Sequence, residues 1–234
     1  MKAVETQNIV YEDENLIALN KPPGVNFDWV LETRKDLISV HRLDKDTSGI
    51  ILFAKNQSAA DYLKSLFQNH KIRKTYLALV VGNVKNNRGV IDLPIGRSKK
   101  TPLKRVAVGE RRGKMREAVT EFKVLKRFPP APSKSDFESA KKSDFFPAGG
   151  FTLIEVYPET GRTHQIRSHF AAIGHPVACD KLYGGKNPKC PAELTRQFLH
   201  ASVVDFTLPS GGRLRIEADL PEDLENAKVL LCRH

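Results

Sequence analysis

The chain alternates short apolar runs with clusters of turn formers, and only a few stretches carry helical spacing. Residues 15–19 (N-L-I-A-L) are mostly apolar and end at Asn20-Lys21-Pro22-Pro23-Gly24, which predicts a buried strand stopped by Pro and Gly, with Lys21 at its end. Residues 49–54, with Ile50, Ile51, Leu52 and Phe53, predict a second buried strand. Further strand patterns fall at 75–81, 118–128 (apolar members Val119, Phe122, Val124 and Leu125) and 151–156. Residues 201–208 and 213–218 predict a hairpin across Pro209-Ser210-Gly211-Gly212. Helical spacing is clearest at 56–70, where Leu63, Leu66 and Phe67 share a face and Asn56 or Ser58 can cap. A second helix is predicted from a Thr163 cap to about Gly174, with Ile166, Phe170 and Ile173 on its buried stripe, and two more at 191–199 and 222–231. Residues 28–39 give no firm signal, and no repeat or heptad appears.

Charge changes this picture. The 234 residues carry 38 Lys plus Arg against 27 Asp plus Glu, and a net charge of +11 on a chain with 40% hydrophobic residues suggests a folded core with a polyanionic partner, nucleic acid first. The excess is densest between Ile95 and Glu117, where Arg97, Lys99, Lys100, Lys104, Arg105, Arg111, Arg112, Lys114 and Arg116 face only Glu110 and Glu117. A cluster that dense costs self-repulsion, which favours phosphate contact over a merely solvated hairpin. Residues 129–150 are rich in Pro, Ser and Lys and read as a mobile surface loop that Phe137, Phe145 and Phe146 could partly dock.

Cys179, Cys190 and Cys232 make neither a disulfide framework nor paired zinc knuckles, which fits a reducing compartment. The amino terminus lacks a signal-peptide core and no apolar run could span a bilayer, so a cytoplasmic protein is expected.

Two stretches are dense in chemistry. Residues 39–51 read S-V-H-R-L-D-K-D-T-S-G-I-I, crowding His41, Arg42, Asp44, Lys45, Asp46 and Thr47 before a buried strand. They admit a turn reading, because Asp, Thr, Ser and Gly bond local backbone, and a catalytic reading centred on Asp44. Residues 160–167 read T-G-R-T-H-Q-I-R, and Arg167 falls among apolar helix positions. A partly buried guanidinium needs a carboxylate or several carbonyls, so Arg167 calls for a partner elsewhere in the chain. No His or Cys pair has zinc-ligand spacing, and Asp44-x-Asp46 as the metal pair of a nuclease is less simple than Asp46 as a turn residue.

Together N-K-P-P-G at 20–24, H-R-L-D-K-D-T-S-G at 41–49, K-T-Y at 74–76, G-K-x-x-x-A-x-T at 113–120, T-G-R-T-H-Q-I-R at 160–167 and G-H-P-x-x-x-D-x-x-Y-G at 174–184 resemble the RluA family of RNA pseudouridine synthases. The resemblance covers about 11–220 and implies one catalytic domain of α+β class, a bent, mixed, largely antiparallel sheet flanked by helices with a central RNA-binding cleft. It also implies an isomerase that breaks the bond from uracil N1 to ribose C1′ and rejoins C1′ to C5, with no redox change, cofactor or metal.

By residue, Asp44 matches the catalytic aspartate, Arg167 the arginine that pairs with it, and Tyr76 the tyrosine expected to stack on uracil and to help remove the C5 proton. Arg42 matches the residue entering the space of the flipped nucleotide, and Arg162, His164 and Gln165 the segment that holds substrate backbone and orients Arg167. Lys21 and Lys74 are expected to reach RNA in the same cleft. The expected partner is structured RNA, ribosomal or transfer, bound by a monomer without an obligate protein partner, membrane or appended RNA-binding domain. A catalytically idle RNA-binding or ribosome-assembly factor is the alternative. Sixteen residues separate Gly24 from His41, shorter than is usual in the family, and the 129–150 loop is a second departure.

Overall fold

The computed structural model describes residues 8–130, 149–191 and 194–232; the loop read at 129–150, with its three phenylalanines, falls mostly outside them. In chain order the strands are β1 Ile9–Glu12, β2 Leu16–Lys21, β3 Ile38–Ser39, β4 Ser48–Ala54, β5 Arg73–Val81, β6 Arg88–Asp92, β7 Ile95–Ser98, β8 Arg105–Val106, β9 Arg111–Arg116, β10 Val119–Phe128, β11 Phe151–Pro158, β12 Leu199–Thr207 and β13 Arg213–Glu217. The helices are α1 Gln57–Gln68, α2 Gln165–Ala172 and α3 Glu222–Cys232, with a 3-10 turn at Trp29–Glu32. The class is mixed α+β with mostly antiparallel pairing, and no described helix is long and apolar enough to cross a membrane. Two compact units divide the chain, Met1–Tyr76 with His200–Leu220, and Leu77–Leu199 with Pro221–His234.

In the first unit β2 pairs antiparallel with β1 and β4, β3 adds two residues to β4, and β12 joins β4 in parallel through His200↔Ser48 and Ala201↔Gly49. Because successive strand residues face opposite ways, β2 and β4 feed two cores. Leu16, Ala18, Ile50, Leu52 and Ala54 pack with Ala60, Leu63 and Leu66 of α1 and with Phe206 and Ile216. Ile17, Leu19, Ile51 and Phe53 pack on the opposite face with Val30, Leu37, Leu43 and Ala201. Asn56 caps α1 as read, accepting the Ala59 N–H at 2.8 Å. Gly49, at φ +111, is required: a Cβ there would overlap the backbone of Ala201.

In the second unit β10 lies between β6 and β11, and β7 lies between β8 and β9 in a separate three-stranded sheet. Three expectations are corrected here. The 191–199 stretch is not helical in its described part. The Phe198 N–H donates to Ala178 and its carbonyl accepts from Leu79, which fixes extended backbone. Helix α2 starts at Gln165, after His164 in the left-handed conformation (φ 56), and has no side-chain cap from Thr163. Cys179 and Cys190, expected as thiols, are joined in a disulfide with a Cα separation of 4.7 Å.

Candidate active site

The loop before β4 is held from both cores. Leu43 is buried with Ile17, Leu19 and Phe53, whereas His41 stacks on Phe67 at 4.4 Å between ring centroids, against the other core. The pairing of β3 with β4 ends at Ser39↔Phe53, and His41 Nε2 takes over by accepting the Leu52 N–H at 2.8 Å. A nitrogen that accepts carries no proton, so the neutral ring holds its hydrogen on Nδ1. Burial, then the charge of Lys74, push the His41 pKa down to about 3.

Asp44 follows Leu43 directly and opens a tight turn in which the Thr47 N–H donates to the Asp44 carbonyl at 3.1 Å. The turn reading and the catalytic reading are therefore compatible: the backbone makes the turn and the carboxylate stays half-exposed beside it. Tyr76 packs against the cluster that holds Leu43, and burial, then the Asp44 charge, raise its pKa, so the phenol keeps its proton at neutral pH. Arg42 is exposed, its guanidinium carbon 5.1 Å from the Phe27 ring centroid. Lys74 is half-buried, and burial lowers its pKa to about 8.

Lys21 departs from its expected place on the RNA surface. It is wholly buried, and its ammonium donates to the carbonyls of Pro22 (2.9 Å), Val25 (3.0 Å) and Lys45 (2.9 Å). Three carbonyl acceptors meet the ammonium's three donors. Lys21 thus ties the Pro-Pro-Gly turn to the residue after Asp44.

In the second unit Gln165 is likewise a buried staple, correcting its reading as an RNA contact. Its carbonyl accepts from Thr160 Oγ1 (2.6 Å) and the Arg162 N–H (2.9 Å), and its amide donates to the Val119 carbonyl (2.9 Å) and Thr120 Oγ1 (3.0 Å). All four hydrogen-bonding positions are used, which clamps residues 160–165 to the start of β10. Arg162 points its Nε at the Glu117 carbonyl (3.0 Å) and, with Arg97, Arg105, Arg112, Lys114 and Arg116, lines a cavity of about 680 Å³ that has no carboxylate in its wall.

Arg167 is buried as read, and its Nε and Nη2 bind the two oxygens of Asp180 at 2.7 and 3.0 Å. Asp180 thus supplies a carboxylate to Arg167 from within its own unit. Asp180 Oδ1 also accepts the N–H groups of Leu182 and Tyr183, and the Tyr183 ring lies 5.2 Å from the Arg167 guanidinium carbon.

Comparison with known proteins decides what this site belongs to. Residues 15–172 match the family described as RNA pseudouridylate synthase. The chain belongs to that family. An RNA pseudouridine synthase of Bacillus subtilis, YhcT, is 35% identical over 246 residues, covering 97% of this chain and 71% of its own length. The ribosomal large subunit pseudouridine synthase C of Vibrio vulnificus is 36% identical over 243 residues, covering 96% and 69%. Among solved structures, human RNA pseudouridylate synthase domain containing 1 superposes with a TM-score of 0.76 at 26% identity, over 97% of this chain and 90% of its own.

As a pseudouridylate synthase the chain is an isomerase acting on RNA. Of the residues singled out by motif, the first unit brings Asp44 and Tyr76 within electrostatic reach of each other and sets Lys74 beside His41. The second unit groups Arg162, His164, Gln165 and Arg167 along one loop and helix start. His41, Asp180 and Tyr183 received no role from sequence. The first stands inside H-R-L-D and the others inside G-H-P-x-x-x-D-x-x-Y-G, so the signal was there. Among the described residues no three His, Cys, Asp or Glu side chains gather to share a metal ion.

Proposed function

We propose that this pseudouridylate synthase converts specific uridines in structured RNA, as a monomer in the cytoplasm, with ribosomal RNA its first candidate and transfer RNA its second. The name of the Vibrio vulnificus relative, a ribosomal large subunit enzyme, supports that order. The reading rests most on the turn that presents Asp44 half-exposed beside a Tyr76 phenol held protonated. Asp44 acts on the ribose, by attack on C1′ or by removing the C2′ proton, and either route needs it ionised. The motif match gives Arg167, steadied by Asp180, the part of the cation that serves the catalytic aspartate. The N1–C1′ bond breaks, the uracil turns while stacked on Tyr76, C1′ rejoins C5, and the C5 proton passes to water as N1 takes one up. Because its pKa is raised, Tyr76 serves as a stacking platform and donor rather than as a phenolate base. Arg42, exposed and free of the core, fills the space of the flipped nucleotide, and the Arg-lined cavity takes backbone phosphates.

Tritium release from ribosomal and transfer RNA carrying 5-tritiated uridine tests the reading. Release by the wild type and none by Asp44→Asn is expected, and release from neither RNA by the wild type overturns it.

A further inference from the structure

Tyr183 is 7% exposed and its hydroxyl makes three contacts that use its full capacity. It donates its one hydrogen to the Arg105 carbonyl (2.8 Å), accepts the Arg105 N–H (2.9 Å), and offers its second lone pair to His164 Nδ1 (3.2 Å). On this count His164 carries a proton on Nδ1. The phenol thus grips both backbone groups of one residue on β8, a two-residue edge strand held to β7 only at Gly96↔Val106 and Arg97↔Arg105. Arg105 is also part of the basic cavity wall, and Lys104 sits 5.0 Å from the Tyr183 ring centroid.

The other end of Tyr183 meets the catalytic arginine twice. Its ring lies under the Arg167 guanidinium, and its N–H is bound by Asp180 Oδ1 (3.0 Å), whose carboxylate holds that guanidinium. A short edge strand with few backbone bonds moves at low cost, whereas the ion pair and the phenol bonds are stiff. An anion that draws the Arg105 side chain into the cavity therefore shifts β8, and β8 carries Tyr183 with it.

We propose that Tyr183 is a positioning residue that couples RNA backbone seated in the basic cavity to the setting of the Arg167 guanidinium. Engagement of RNA away from the target nucleotide then aligns the arginine for chemistry, by a contiguous route through the contacts of Arg105, Tyr183, Asp180 and Arg167. The proposal rests on the role given to Arg167 under the proposed function, but its test does not.

The Nε–Hε resonance of Arg167, slowed in exchange by Asp180, reads the coupling directly in the full chain labelled with ¹⁵N-arginine. The probe is oligoadenylate, which carries RNA backbone without uracil. In the wild type its addition shifts the Arg167 resonance. In Tyr183→Phe the ring and the ion pair remain, the resonance persists, and the shift disappears although oligoadenylate still binds. With tritiated RNA, Tyr183→Phe then lowers kcat about tenfold while KM changes little. An equal shift in Tyr183→Phe, no shift in the wild type, or no binding of oligoadenylate overturns the proposal. Should Tyr183→Phe fail to fold, Arg112→Gln combined with Lys114→Gln approaches from the cavity side and must abolish the shift; its persistence there overturns the coupling. A wild type that releases no tritium yet shows the Tyr183-dependent shift overturns the proposed function and supports the coupling.

Discussion

Residues 41–49 of the first unit and residues 160–167 of the second both present motif side chains from a loop against a buried element, but by different means. The first is held by an apolar anchor, Leu43, a stacked neutral imidazole, His41, and the buried ammonium of Lys21 on backbone carbonyls. The second is held by a saturated amide, Gln165, and by a buried ion pair, Arg167 with Asp180. The difference teaches where each loop is vulnerable. A loop fixed by a neutral histidine fails when that histidine is protonated, and a helix start fixed by an ion pair fails when one partner is removed.

The largest expected effect tests what the first loop presents. Asp44→Asn leaves the turn, since the Thr47 bond is to backbone, and eliminates pseudouridine formation with an unchanged thermal melt; normal product from this variant would break the assignment. Next, Asp180→Asn removes the charge that holds the Arg167 guanidinium at Nε and Nη2 and costs about 3–5 kcal/mol in urea unfolding, a size typical of a broken buried pair. A cost below about 1 kcal/mol would mean that the second loop is not ion-pair held.

Third comes His41. Its pKa is about 3 folded and near 6.5 unfolded, so between those values the unfolded state binds more protons and stability falls as pH drops. The loss is roughly 3 kcal/mol after discounting for water access. His41→Phe keeps the stacking, forfeits about 1–3 kcal/mol at neutral pH by orphaning the Leu52 N–H, and flattens that acid limb. An unchanged limb would show that another group causes it.

The smallest effect is alkaline. Lys74 titrates near 8 when folded against 10.5 unfolded, so stability rises by about 1–2 kcal/mol as pH climbs across that window. Lys74→Met should remove the rise in denaturation curves taken at several pH values, and a retained rise would discount the burial of its charge.

What could be read from sequence follows how local the cause was. Helix α1 was legible with its Asn56 cap, and β2 and β4 from their apolar runs, because propensity, capping and burial agree there. Residues 191–199 misled because Ala, Glu and Leu favour a helix, while the decisive bonds come from Leu79 and Ala178 far along the chain, and Arg196 is drawn to Asp223 at 2.6 Å. The need of Arg167 for a carboxylate was correctly inferred from its apolar neighbours. Asp180 as a partner was not read, since a spacing of 13 residues outside one helix leaves no periodic trace. Lys21 and Gln165 were read as RNA contacts because a polar residue inside a motif looks functional in one dimension. Only the positions of their acceptors show them bonding the protein's own backbone.

The parallel pairing of Ser48 and Gly49 with His200 and Ala201, reinforced by the Ser48 Oγ to His200 Nδ1 contact at 3.0 Å across 152 residues, has a bearing on biosynthesis. The ribosome delivers the Asp44 loop well before the strand that pairs beside it. Until that strand emerges, β4 keeps an open edge and Gly49 has no backbone to nest against, so the turn before β4 stays unassembled over that interval of translation.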